Sequence, residues 1–185
     1  MREKKCKFSE CGETFKPFTS LQQVCSGSIK CAVGFAKEKE RKKFKTDTRE
    51  MKKELLQKDR KYQLVLAQNA FNAFIRERDR GYPCIDCGCY EAAQWQAGHY
   101  KTRGGFPELR FEESNVFKQC SQCNKNGLRG TVEFRRNLVE RIGIARVEWL
   151  EGPHEPKNYS IDDIIAIKNK YKLKLKRLTA RGLAG

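Results

Sequence analysis

Apolar residues recur at helical spacing between Tyr62 and Pro83. One face of a helix drawn over this segment carries Leu64, Ala67, Phe71, Phe74 and Ile75. Gly81 and Pro83 then predict the end of the helix, because neither residue continues an α-helix readily. We expect the apolar face to pack against the centre of the protein.

A second amphipathic pattern lies at the C-terminal end. Ser160 and Asp163 have the spacing of a capping box, which predicts a helix start. The apolar stripe of this helix contains Ile161, Ile164, Ile165, Tyr171, Leu175 and Leu178. Its other faces carry Lys168, Lys170, Lys172, Lys174, Lys176 and Arg177. Like charges one turn apart repel each other, which favours an anionic partner for this helix, with a solvated face as the alternative.

Between Lys37 and Lys61 nearly every residue is a helix former, and no Gly or Pro occurs. A weak apolar stripe contains Met51, Leu55 and Tyr62. The pattern predicts a solvated helical linker whose basic face either follows phosphates or is only a charged spacer. A further helix is predicted from Thr131 to Ile142, stopped by Gly143, and a short helical turn from Ile144 to Leu150.

The central segment shows shorter elements. Alternation from Gln94 to Tyr100 predicts a strand, and Asn115 to Gln119 predicts a second strand. The residues between them, 102–114, include Gly104, Gly105 and Pro107 and predict a loop. Residues after Cys123 can begin a helix. The predicted order in the centre is therefore strand, strand, helix.

Composition limits the size of the core. Apolar residues make up 38% of the 185 positions and charged residues 34%, which favours a small folded centre with solvated helical extensions over one large domain. With 39 Lys and Arg against 23 Asp and Glu, the formal charge is +16, which favours binding to a polyanion such as nucleic acid. The alternative is that the charge serves solubility alone. No segment resembles a membrane span or a secretion signal, so we expect a protein of the cytosol.

Nine cysteines stand in clusters, which in a reducing compartment indicates metal ligands rather than disulfides. Two Cys-x-x-Cys pairs, Cys84 with Cys87 and Cys120 with Cys123, predict a closed tetrahedral zinc site of structural type. A second structural zinc is predicted from Cys6, Cys11, Cys25 and Cys31, whose looser spacing also fits four unconnected thiols. Cys89 is predicted to be spare, although an exchange with Cys87 stays open. Two zinc sites with four thiolates each would carry −2 apiece and lower the charge to about +12.

Between and beside these pairs stand Gly98-His99, a glycine-containing loop, Asn115, and Asn124-Lys125. This order resembles the zinc-bearing HNH, or ββα-metal, nucleases. The runs NAFIRERDR at 72–80, PCIDCG at 83–88 and AGHY at 97–100 are similar to the NinG (Rap) family of lambdoid phages, recombination endonucleases that act on branched DNA. The resemblance covers most of the chain. It implies an α+β fold with a small zinc-bound ββα-metal core, long helical extensions and an N-terminal four-cysteine zinc module.

The resemblance also implies site residues. His99 would be the general base that activates water, a task suited to imidazole. Asn115 would orient His99, and Asn124 would bind a catalytic Mg²⁺ or Mn²⁺ through its amide oxygen. Many HNH enzymes carry a metal ligand immediately before the base, where this chain has Gly98. A second ligand could come from Asp86, Glu91, Glu108, Glu112 or Glu113, or be absent. Arg103 or Arg110 is a candidate phosphate clamp.

We accordingly expect four segments: a zinc module at 1–36, a basic helical linker at 37–80, the nuclease core with structural zinc at 81–130, and basic C-terminal helices at 131–185. The expected function is metal-dependent, structure-selective cleavage of branched recombination intermediates such as Holliday junctions and D-loops, in the host cytosol. Expected partners are DNA, bound mainly through phosphates, a second copy of the chain, and recombination proteins of phage or host. The alternative is a catalytically inactive zinc-containing DNA-binding protein. Charge disfavours a third hypothesis, an assembly protein that uses zinc only for folding.

Overall fold

A computed structural model describes residues 2–26, 29–125 and 132–182. The chain forms two compact units, residues 1–56 and 57–185. The fold is α+β: the described residues are mostly helical and include two small antiparallel sheets. None of the described helices is long and apolar enough to cross a membrane.

The first unit is built on four cysteines and a few aromatic rings. Its sheet pairs β1 (Lys4–Lys5) with β2 (Thr14–Phe15), and α1 (Ile29–Lys58) follows. Phe8 is buried with Cys6 and Cys31 and lies against α1 at Gly34, where a Cβ atom would come within 2.4 Å of the ring. Cys31 is the buried residue of α1, and from Lys37 onward nearly all of its residues are exposed, as the composition predicts.

The second unit begins with a break in the helical pattern. The sequence predicts a helical linker through Lys61, but α1 ends at Lys58 and α2 spans Arg60–Arg78. Asp59 causes the break because its backbone is extended and its carboxylate accepts from Tyr62 N at 3.1 Å, which caps α2. The predicted apolar face of α2 is confirmed. Ala67, Phe71, Phe74 and Ile75 are buried on it, and Leu64 packs at its edge.

The C-terminal helix α6 (Ile161–Gly182) covers this face of α2. Ile164 and Tyr171 are buried in the shared core, and the Tyr171 ring lies edge-on to Phe71 with the centroids 4.7 Å apart. The predicted capping box is present: Asp163 N donates to Ser160 Oγ, and Ser160 N donates to the Asp163 carboxylate. Two of the predicted basic residues are engaged inside this unit, because Lys168 donates to Gln63 and Lys174 pairs with Glu113.

The hairpin at the centre pairs β3 (Trp95–His99) with β4 (Val116–Cys120), followed directly by α3 (Ser121–Lys125). Trp95 lies opposite Cys120 and His99 opposite Val116. The connection contains two short 3-10 turns, Pro107–Leu109 and Glu113–Asn115, where the sequence predicted a loop through Ser114 and a strand from Asn115. The strand, strand, helix order is the predicted one.

Two further helices, α4 (Val132–Ile142) and α5 (Ile144–Glu151), complete the unit. Their fully buried residues Phe134, Leu138, Val147 and Leu150 pack with Phe117 of β4. Thr131, the predicted start of α4, and residues 126–130, the predicted end of the core segment, lie outside the described residues.

A buried carboxylate ties the end of α2 to β4. Asp79 is 1% exposed and accepts from Arg78, Arg141 and the backbone N of Lys118 at 2.8–3.0 Å. Arg78 also donates to the carbonyl oxygens of Glu113 and Val116. Arg78 and Asp79 of the NAFIRERDR run therefore form, with Arg141, a structural bracket that fixes the hairpin against α2.

Candidate functional site

The central cysteines form a cluster at the outer end of the hairpin. The sulfur atoms of Cys84, Cys87, Cys89 and Cys120 lie within 4.8 Å of one another. Gly88, at φ +73, turns the chain back, so that Cys84 N donates to Cys89 O at 2.8 Å. The backbone N of Cys120 donates to the Cys84 sulfur at 3.3 Å. Backbone donors around sulfur favour the thiolate, which is the form that binds metal, but at Cys84 burial outweighs them and raises the pKa of the thiol.

This cluster corrects the expectation for Cys89. The sequence predicted that Cys89 is not a metal ligand. The structure places its sulfur in the group of four, because the turn at Gly88 folds Cys89 back onto Cys84. Cys123 is buried beside the group, and its backbone N donates to the Cys120 sulfur at 3.5 Å. Burial and the neighbouring thiols raise the pKa of Cys123 strongly and raise the pKa of Cys89 to about 12. The central cluster therefore offers five thiols to one potential metal site.

Cys87 behaves differently from its neighbours. Burial acts to raise its pKa, but the backbone N–H of Cys89 and hydrogen bonds from the surrounding thiols lower it to about 7. A thiol with a lowered pKa is the first of the group to ionise, and a divalent cation would draw the others into the thiolate form.

The N-terminal cluster has similar geometry. Cys6, Cys11, Cys25 and Cys31 place their sulfur atoms within 4.8 Å of one another, with Cys11 to Cys25 at 3.7 Å and Cys25 to Cys31 at 3.5 Å. A zinc ion with Zn–S bonds of about 2.3 Å has tetrahedral S···S edges of about 3.8 Å. In the central cluster, Cys87 and Cys120 lie 3.9 Å apart. Both clusters could hold zinc.

A polar cleft of about 430 Å³ opens beside β3. His99 lies in its wall, 5% exposed, at the end of the strand. The Nε2 atom of His99 lies 3.1 Å from the carbonyl oxygen of Arg110. Since a carbonyl oxygen only accepts, this contact places the hydrogen on Nε2 and makes Nδ1 the accepting nitrogen of the neutral ring.

Asn115 is fully buried and holds the connection between the strands in place. Its amide group donates to the carbonyl oxygens of Lys101 and Leu109, at 3.0 and 3.1 Å, and accepts from Lys101 N at 2.7 Å. Leu109 immediately precedes Arg110, whose carbonyl oxygen contacts the His99 ring. By holding the Leu109 carbonyl, Asn115 therefore positions the backbone that orients the imidazole.

The position before His99 is occupied by glycine for a steric reason. A Cβ atom on Gly98 would lie 2.1 Å from Oε1 of Gln119, which is itself fully buried and donates to Asp86 at 3.1 Å. A metal-binding side chain therefore has no room at position 98. None of the five carboxylates considered as replacements lines the cleft among the described residues. Glu112 is bound to Ser114 and Arg146, and Glu113 to Tyr171 and Lys174.

The two candidate phosphate clamps, Arg103 and Arg110, lie in different environments. Arg103 lines the cleft, whereas Arg110 donates to Gln68 at 2.9 Å and is partly desolvated, which lowers its pKa. Asn124 also lines the cleft, and its amide nitrogen donates to Gln96.

Four polar residues of this wall were not predicted as site residues from the sequence. They are Asn72, Arg76, Gln94 and Gln96. Asn72 and Arg76 stand four positions apart beside the apolar face of α2, a spacing that could have indicated a polar surface next to the core. Nothing local in the sequence distinguishes Gln94 and Gln96.

Comparison with known proteins gives a consistent family. The profile described as "Bacteriophage Lambda NinG protein" matches residues 1–181. The chain is 40% identical over 190 positions to "Protein ninG" of Salmonella phage P22, covering 95% of this chain and 93% of that protein. It is 39% identical to "Protein ninG" of Escherichia phage lambda with the same coverage, and 46% identical over 126 positions to that of Escherichia phage 933W, covering 68% and 63%. No solved structure matches.

Proposed function

Because the chain belongs to the NinG family of lambdoid phages, we propose that it is a metal-dependent endonuclease that hydrolyses phosphodiester bonds in branched DNA. The observation that carries the proposal is the environment of His99. A buried imidazole with a fixed hydrogen on Nε2 stands in a cleft that contains two arginines and, among the described lining residues, no carboxylate.

The role of His99 follows from its contacts. When the ring is neutral, the Arg110 carbonyl selects the tautomer that carries its hydrogen on Nε2, and we assign Nδ1 of that tautomer the role of taking a proton from water. The imidazolium that forms then keeps its Nε2–H bond to the same carbonyl. Asn115 contributes by fixing the loop on which that carbonyl stands, so it is a positioning residue.

The charge of the cleft favours an anionic ligand. Arg76 and Arg103 line it, and the neutral amides of Asn72, Gln94 and Gln96 supply hydrogen-bond donors. A phosphodiester fits such a wall because arginine binds phosphate oxygens through paired donors. A carboxylate substrate would also satisfy the arginines, but the formal charge of +16 favours a long polyanion.

One ligand atom in the cleft, the amide oxygen of Asn124, is of the kind that a hard divalent cation prefers. Asn124 directs its amide nitrogen at Gln96, which leaves its oxygen as the group able to bind Mg²⁺ or Mn²⁺. With no described carboxylate in the wall, phosphate oxygens of the substrate would complete the coordination. Such an ion, when bound, would stabilise the charge that develops on the phosphate and the leaving oxygen.

The central cysteine cluster acts on this site through the backbone. Cys120 ends β4, and Cys123 immediately precedes Asn124 in α3. A zinc ion held there would fix the hairpin end and the first turn of α3, and with them the position of Asn124.

A second candidate function is supported by the same cleft. A catalytically inactive zinc-containing DNA-binding protein would need the basic surface and the cysteine clusters but no carboxylate ligand, and none lines the described cleft. The preference for branched DNA rests on the family resemblance in either case. The two functions differ only in whether the phosphodiester bond is cut.

The deciding experiment measures cleavage and binding of labelled four-way junctions, D-loops and linear duplex with Mg²⁺ or Mn²⁺. His99→Gln is the test variant, because an amide can still donate to the Arg110 carbonyl while it cannot act as a base. His154→Gln is the matched control, since His154 is the other histidine of the chain and packs on Trp149 outside the cleft.

The endonuclease proposal expects the wild type and His154→Gln to cut branched DNA, and His99→Gln to bind it equally but to lose at least about 10²-fold of the rate. Wild-type protein that binds junctions and cuts none of them with either ion would establish the inactive DNA-binding alternative. Cleavage that survives in His99→Gln would remove His99 from the mechanism.

A further inference from the structure

Helix α1 exposes an apolar stripe that no described residue of its own unit covers. Phe44 is 71% exposed, and Met51 and Leu55 are each 65% exposed. Together with exposed Thr48 they follow the spacing of four, three and four residues, which is the alternation of the contact positions in a coiled coil. Three large exposed apolar side chains on one line of an otherwise charged helix indicate a contact surface, or seam, for a partner helix.

The charges beside the stripe indicate what that partner is. With Phe44 and Met51 as d positions, Glu40 and Asp47 occupy g positions, and Lys45 and Lys52 occupy e positions. One flank is acidic and the other is basic over this stretch. In a parallel pair of identical helices, each g residue lies near the e residue five positions later in the partner. Glu40 would therefore meet the partner's Lys45, and Asp47 the partner's Lys52.

The same pattern disfavours an antiparallel pair. There, g residues face g residues and e residues face e residues, so acid would meet acid and lysine would meet lysine. A nucleic acid is also a poor occupant of this line, because the apolar side chains would remain exposed between phosphates.

We propose that α1 forms a parallel two-stranded coiled coil with α1 of a second copy of this chain, with Phe44, Thr48, Met51 and Leu55 in the seam. The seam spans about two heptads, so the association is expected to be reversible and concentration-dependent. The dimer itself does not depend on the proposed function. Its use does: a dimer carries two His99 clefts, as paired cuts in the two strands of a branched substrate would need.

The test measures the mass of the full-length, zinc-containing protein by sedimentation equilibrium over a range of concentrations. Wild type is expected to approach twice the chain mass of 21.5 kDa as concentration rises. Lys52→Glu places like charges at both symmetric Asp47 contacts and is expected to raise the dissociation constant about tenfold. Lys53→Glu is the matched control, because it makes the same charge change at the adjacent exposed position outside the seam. Asp47→Lys combined with Lys52→Glu is expected to restore the wild-type constant.

Each result decides the matter without reference to cleavage. A wild type that stays at the monomer mass at all concentrations overturns the proposal. Tighter association in Lys52→Glu would identify an antiparallel pair, since the introduced carboxylate would then face lysine, and would overturn the parallel arrangement. Equal weakening by Lys52→Glu and Lys53→Glu would place the interface elsewhere. Loss of association in Leu55→Glu, with unchanged helix content by circular dichroism, would support the seam.

Discussion

Replacing Gly98 by alanine tests whether packing, rather than catalysis, determines the residue before His99. The added Cβ would lie 2.1 Å from Oε1, 2.8 Å from Cδ and 3.0 Å from Cβ of Gln119. Gln119 is fully buried, and moving its amide group away from the added Cβ would disturb its 3.1 Å bond to Asp86. Overpacking of this kind costs about 1–3 kcal/mol and the lost hydrogen bond about 1 kcal/mol. We expect the free energy of unfolding to fall by about 2–4 kcal/mol.

The assay is urea unfolding followed by tryptophan fluorescence. Both tryptophans, Trp95 and Trp149, belong to the unit formed by residues 57–185, so the signal reports on that unit alone. With a slope near 2 kcal/mol per molar urea, the midpoint is expected to fall by roughly 1–2 M. Gly104→Ala is the matched control, because a Cβ there meets no atom within 4 Å, and it should stay within about 0.5 kcal/mol of wild type.

A double-mutant cycle tests whether the loss of stability in Gly98→Ala comes from the contact with Gln119. In a Gln119→Ala background most of the clash is removed, so Gly98→Ala should cost only about 1 kcal/mol, a coupling of about 1–3 kcal/mol. If Gly98→Ala is as stable as Gly104→Ala, or costs the same with and without Gln119, the steric explanation is wrong. A side chain could then be placed before His99, and a metal ligand at that position would again be open.

Three further predictions concern metal, charge and pH. Metal analysis of purified protein should give two zinc ions per chain. Cys89→Ser and Cys123→Ser should each keep both ions, because five thiols surround the central site. Only the double variant should lose one ion. If either single replacement ejects zinc, the five thiols are not interchangeable. Asp79→Asn should lower the free energy of unfolding by about 3–5 kcal/mol, since it leaves two arginines without their buried partner, whereas Glu77→Gln at a surface pair should cost under about 1 kcal/mol; equal losses would contradict the structural bracket. The Arg135 guanidinium and the Tyr100 hydroxyl lower the pKa of Glu151 to about 2, below the ordinary value of about 4.3, so its stabilising contribution is complete above about pH 4.3 and is lost as the pH falls toward 2. In Glu151→Gln the urea midpoint should depend less on pH between about pH 4.3 and about pH 2 than in the wild type. An unchanged pH dependence would contradict the assignment.

Local patterns predicted the amphipathic helices and the two central strands, but not the short strands Lys4–Lys5 and Thr14–Phe15. The apolar faces of α2 and α6 could be predicted because burial on one side of a helix imposes its period on the sequence. The capping box at Ser160, the hairpin strands and the grouping of Cys6, Cys11, Cys25 and Cys31 followed in the same way from short-range chemistry. The break at Asp59 was missed because a single capping residue within a run of helix formers leaves the composition unchanged.

The sequence by itself determined the residue types that could do chemistry: clustered thiols, one central histidine and an excess of positive charge. Only the tertiary structure decided which of them meet. Burial of Gln119 excludes a side chain at Gly98, the turn at Gly88 brings Cys89 into the metal cluster, and the Gln68 contact takes Arg110 out of the cleft while its carbonyl holds His99. These outcomes depend on contacts between residues far apart in the chain, which packing sets and local periodicity does not encode.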